Sequence, residues 1–131
     1  MSENEEEVKE VFEYEVNGTI YTQRKMRLGQ VKQMNRLFND LELPSTVTAI
    51  SMFTTFGGKL PEVMAIVLCK KGAELKDKNL KELEIEFETH ADMDIGFQVV
   101  QDFFDCNPIA SYFTQMTGVF QKLMLANQAP E

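Results

Sequence analysis

The sequence predicts an α+β fold that is predominantly helical, with an N-terminal β-hairpin followed by about six helices in one compact domain. Three observations carry this. Asn17-Gly18 splits two short runs rich in β-branched and aromatic residues, the strongest short-range hairpin signal. From Leu28 onward, apolar residues recur at steps of three and four, the helical period. A chain of 131 residues with 44% hydrophobic and 26% charged residues has the size and composition of a single globular domain.

Taken in order, residues 1–9 read as a disordered acidic arm, residues 10–126 as one globular domain and residues 127–131 as a disordered tail. Val11–Val16 and Thr19–Arg24 are the two strands. A lone hairpin is only marginally stable, so it must rest on helices or pair with another chain. Leu28, Val31, Met34, Leu37, Phe38 and Leu41 define a first helix that Pro44 closes. Ser45 suits the cap of a second helix, through Val47, Ile50, Phe53 and Thr54, which Gly57-Gly58 ends. Pro61 fits the first turn of a third, Glu62 to about Lys71, apolar on all sides from Val63 to Leu68 and therefore the central buried element. Gly72 ends it.

Asn79 followed by Glu82 is a helix-start signature. The segment Leu83–Glu88 also alternates like a strand, but Leu80, Leu83 and Phe87 fit a helix and the local cap favours it. Asp92 or Asp94 starts the next helix, and Asn107-Pro108 both ends it and opens the last. In that last helix Ile109, Tyr112, Phe113, Met116, Val119, Phe120, Leu123 and Met124 fall on one face. Periodicity leaves open whether this face meets the chain's own core or a partner.

The catalytic inventory is thin, and the expectation is that the chain is not an enzyme. Its one histidine, His90, lies in an acidic stretch and reads as a surface residue. With Asp92 and Asp94 it makes at most a weak metal trio, so no metal and no cofactor are expected. Gly57-Gly58-Lys59 lacks the spacing and the Ser or Thr of a phosphate loop. Cys69 and Cys106 read as buried free thiols, since the N-terminus has no export signal. The longest apolar run, Val63–Cys69, is too short to cross a bilayer, so no membrane contact and a cytoplasmic location are expected.

Net charge is -8, of which residues 1–15 (seven Glu, one Lys) hold -6, leaving a nearly neutral body. That balance argues against nucleic acid as a partner. Arg24, Lys25, Arg27, Lys32 and Arg36 form a basic cluster, and Glu84, Glu86, Glu88, Asp92 and Asp94 an acidic one. These clusters could meet within one fold or between subunits, the second giving head-to-tail self-association through Arg24, Arg27 and Arg36 with Glu84, Glu86 and Glu88. Eight methionines fill a core or line an adaptable apolar groove.

The order of elements carries a resemblance. Tyr21–Gln30 (YTQRKMRLGQ) follows the first strand, apolar helices come next, and a late acidic stretch leads into Val100-Gln101-Asp102-Phe103-Phe104-Asp105-Cys106-Asn107-Pro108. This resembles the small tail assembly chaperones of long-tailed double-stranded DNA phages, over most of residues 11–125. The resemblance implies a non-catalytic protein of the bacterial host cytoplasm that coats the tape measure protein until tail tube subunits polymerise around it. It also implies weak homo-oligomerisation and, through the extension of a longer frameshifted form, recruitment of the tail tube protein. The contact residues expected on this reading are Phe103, Phe104, Tyr112, Phe113, Met116, Phe120 and Met124, each of which could equally belong to the core. The rival expectation is a self-assembling structural tail or connector protein that associates through the hairpin edge.

Overall fold

The computed structural model describes residues 11–40, 45–46 and 48–127. The expected acidic arm, Leu41, Pro44, Val47 and residues 128–131 of the expected tail lie outside the described residues, while Asn127 is the last residue of a helix. Strands β1 (Phe12–Val16) and β2 (Thr19–Gln23) pair antiparallel, from Phe12 opposite Gln23 to Val16 opposite Thr19. The two loop residues, Asn17 and Gly18, have φ of 52° and 81°. Two consecutive positive φ values define the turn whose twist matches the flanking strands, which is why Asn-Gly stands here.

The helices are α1 (Leu28–Asn39), α2 (Ala49–Gly57), α3 (Leu60–Val67), α4 (Leu80–His90), α5 (Met93–Cys106) and α6 (Ile109–Asn127). Side-chain caps act where the sequence signalled them: Asn79 accepts from the Glu82 amide, and Asp92 from the Ile95 amide. The segment at 83–89 is therefore helical. The second helix is capped by Thr48 rather than Ser45, through a reciprocal pair of bonds between Thr48 and Ser51.

One expectation is corrected. The third helix does not run on to Lys71; it stops at Val67, and Leu68–Lys70 form a third strand, β3, antiparallel to β2. The sheet order is β1-β2-β3. Pairing with β3 gives the hairpin a neighbour on its second edge, which answers the marginal stability of two strands alone. The helix end is also satisfied elsewhere: the Ile66 carbonyl accepts from Gln30 Nε2 at 2.9 Å and from Lys78 Nζ at 2.7 Å.

The core forms where the sheet meets the helices. It joins Tyr14, Val16 and Tyr21 of the sheet to Met34 and Leu37 of α1 and to Met64 through Leu68. Phe87 of α4 and Val99 and Phe103 of α5 complete it. The expectation of a central buried α3 is met in Met64, Ala65, Ile66 and Val67. Tyr21 and Phe87 meet edge to face with ring centroids 5.0 Å apart. Gly96 lets α5 pass close to α3: a Cβ there would lie 3.0 Å from Leu60 Cδ1, and the Leu60 side chain would have to give by a few tenths of an ångström. On α1 the inward face is Gln30-Met34-Leu37, so Leu28, Val31 and Phe38 of the expected apolar stripe face solvent.

Candidate partner-binding surface

Buried polar bonds fix the root of α6. Asn107, fully enclosed, caps α5. Its Oδ1 accepts from the Met26 amide at 2.9 Å and its Nδ2 donates to the Phe103 carbonyl at 2.9 Å. One side chain thus ties the α5–α6 junction to the segment between β2 and α1. One turn earlier, the buried Asp102 accepts from Tyr14 Oη at 2.7 Å and from Gln98 Nε2 at 2.9 Å. Gln23 Nε2 donates to Tyr14 Oη at 2.9 Å and to the Val99 carbonyl at 3.1 Å. Burial pushes the Tyr14 phenol far above its ordinary range, and its bond to the Asp102 carboxylate adds to this. Burial also raises the Cys106 thiol.

From this anchored root α6 leaves the core. Ile109 still packs against it and Tyr112 is half-buried, but no residue of the helix is fully buried. Phe113, Phe120 and Met124 expose 63%, 61% and 59% of their surface, with Met116, Val119 and Leu123 exposed beside them. Nineteen residues make a helix roughly 28 Å long. Summed over these six side chains, the open apolar area is about 600 Å², at the top of the range for patches on ordinary monomers. The only charged residue of α6, Lys122, points away from the stripe.

Of the residues expected to make partner contacts, Phe113, Met116, Phe120 and Met124 therefore share one open face, with Tyr112 at its base. Phe103 is corrected: it is buried, because α5 turns Val99, Phe103 and Cys106 together into the core. Phe104 stays outside at 59% exposure and stacks edge-on against Phe103, ring centroids 5.2 Å apart. Phe97, one heptad before Phe104, is exposed on the same outer face of α5. The polar network was missed from sequence. Strand parity was the available signal, since Tyr14 and Val16 on β1 and Tyr21 and Gln23 on β2 alternate inward.

The charged clusters are divided between two surface clefts, one of which brings Arg36 and Glu84 together. Arg24, Lys25 and Arg27 line a surface cleft of about 480 Å³ beside Cys69 and Glu74, whereas Arg36 and Glu84 share a smaller one of about 240 Å³ with Lys59 and Glu62. Glu86 accepts a long 3.4 Å bond from Asn17 Nδ2, and Glu88 is exposed. Among the described residues no ion pair joins Arg24, Arg27 or Arg36 to Glu84, Glu86 or Glu88. Nor do three His, Cys, Asp or Glu side chains converge among them as metal ligands; Asp92 caps α5 instead. Cys69 and Cys106 are free thiols, the first half-buried and the second buried. Among the described residues no helix is long and apolar enough to cross a membrane. Comparison with known proteins finds no matching family model, no matching curated protein and no matching solved structure.

Proposed function

We propose that the chain is a non-catalytic assembly chaperone of the phage-tail type, which shields the amphipathic helices of a tape measure protein in the host cytoplasm until the tail tube forms around them. The observation that supports this reading is the open stripe of α6. A long helical protein awaiting assembly needs its apolar seams covered reversibly, and a projecting helix can lie along such a seam. Its Phe and Met side chains adapt to seams of varied sequence, because an unbranched thioether fills irregular gaps. Tail tube protein is the second partner on this reading.

Co-expression with a tape measure protein, sought as a very long coiled-coil reading frame among the neighbouring genes, tests the proposal. The soluble fraction of that protein is expected to rise, and Phe113→Asp with Phe120→Asp is expected to remove the gain. An unchanged soluble fraction would overturn the function. The alternative, a self-assembling structural tail or connector protein, draws on β1 being the outer strand of its sheet among the described residues. It is separated by content: a structural protein stays in finished particles, whereas a chaperone leaves them.

A further inference from the structure

We propose that the α6 stripe is self-complementary, so that two copies of this chain pair α6 against α6 whenever no other partner covers it. The inference does not depend on the chaperone reading and concerns the chain alone. Spacing supplies the first argument. Ile109, Met116 and Leu123 repeat every seventh residue, and Tyr112, Val119 and Ala126 do so three residues later. Over two heptads that spacing fits the seam of a two-stranded helical pair, with Phe113 and Phe120 flanking it. Ile109 is taken by the domain's own core, so the pairing surface begins at Tyr112.

Charge supplies the second. Helices that select a different partner do so with complementary charges beside the seam, which also repel a second copy. Here nothing on the stripe is charged, and Lys122 lies on the far side. No feature of the surface discriminates against its own duplicate.

Area decides the strength. Complete burial of about 600 Å² from each copy gives at most roughly 1,200 Å² in all, the lower limit for specific complexes. The same patch serves both copies, so the contact closes on itself as a two-fold dimer and does not propagate into a filament. A small, closed, apolar interface of this kind is weak and exchangeable. It hides the stripe without committing it.

Sedimentation of the purified full chain over a concentration series provides the test. The mass is expected to move from 15.0 kDa toward twice that value, with a midpoint on the order of tens of micromolar. Phe113→Asp combined with Phe120→Asp should raise the dissociation constant about a hundredfold or more, while Thr114→Asp on the opposite face leaves it unchanged. Should the aspartates unwind α6, Phe120→Ala preserves helix propensity and must still weaken the dimer. A chain that stays monomeric throughout overturns the inference. So does association that Arg27→Glu abolishes and the Phe substitutions spare, since that outcome assigns pairing to the charged clusters. Binding of neutral lipid vesicles by a monomeric chain would equally overturn it, making the stripe a lipid surface. A monomer that still solubilises the tape measure protein refutes only this inference; a dimer that fails to do so refutes only the chaperone function.

Discussion

Replacing Asn107 by Ala removes the bond that ties the root of α6 to the body, and its effect can be worked from the geometry. Three side-chain bonds are lost, to the Met26 amide, the Phe103 carbonyl and, at 3.4 Å, Cys106 Sγ. The Phe103 carbonyl keeps a partner, because the Asn107 backbone amide also donates to it at 2.9 Å. The Met26 amide loses its acceptor at a part-buried position. An unsatisfied amide costs about 1–3 kcal/mol, and the void left in a fully enclosed site adds to that, for a total of about 3 kcal/mol. In a domain of this size that lowers the thermal midpoint by roughly 10 °C. Urea and thermal unfolding followed by circular dichroism measure it, and faster hydrogen exchange at the Met26 amide localises it. Asn107→Asp sharpens the test, since it keeps the acceptor for Met26 but points a second carboxylate oxygen at the Phe103 carbonyl. At pH 7 it should be less stable than the Ala variant. Burial raises such a carboxyl in the folded state above its ordinary value, so the favourable contribution belongs to the protonated acid, is present at low pH and is lost as pH rises. The Asp variant should therefore regain stability on acidification relative to the Ala variant. A cost below about 0.5 kcal/mol for Ala, or an Asp variant as stable as the parent at pH 7, would refute the clamp.

Three further outcomes follow from the buried polar groups and the surface. Because the phenols of Tyr14 and Tyr21 are raised in the fold, the first chiefly by burial and then by Asp102, the second by burial and then by Glu86, their contribution holds below pH 10 and is lost above it; unfolding free energies should fall there, and Tyr14→Phe, weaker by about 2 kcal/mol at neutral pH, should fall less steeply. Lys78 has the opposite sign: burial outweighs its two carbonyl acceptors and pushes it down to about 8, so between there and its ordinary 10.5 the unfolded chain binds more protons and stability rises with pH, a rise that Lys78→Met should abolish in the same unfolding series. Phe120→Asp, made on an exposed helix face, should shift the thermal midpoint of the dilute chain by no more than the effect of an ordinary surface substitution, about 0.5 kcal/mol; a large loss would show that the stripe belongs to the core.

Much of this architecture was legible because local chemistry determined it. Asn17-Gly18 forces a turn that few other pairs accept, and Asn79 and Asp92 cap helices through bonds made within three residues. The third strand was not legible. Leu68-Cys69-Lys70 continues the apolar run of α3, and only its pairing with Tyr21, Thr22 and Gln23, more than forty residues earlier in the chain, makes it a strand. Periodicity likewise found the face of α6 but not its exposure, since the same spacing serves a core and an interface. The chaperone reading grouped Phe103 with Phe104 as contact residues, although neighbouring helical residues point in different directions and only one of the two reaches the core.

The residues that carried the resemblance and the residues that carry the open surface turn out to have separate duties. Asp102, Phe103 and Asn107 hold α5 to the sheet and set where α6 departs, through bonds to Tyr14 and Met26 and through burial. None of them lies on the stripe. The stripe itself needs only apolar bulk at helical spacing, and shape-tolerant surfaces of Phe, Met, Val and Leu accept conservative exchange at little cost. Two classes of substitution should therefore separate. Met116→Leu or Leu123→Met should leave both stability and partner contact nearly intact. Asn107 or Asp102 variants should weaken the fold and, in molecules that remain folded, release the helix that presents the stripe. The short motif Asp102-Phe103 to Asn107-Pro108 is then explained by architecture, which holds the featureless apolar face of α6 out to solvent.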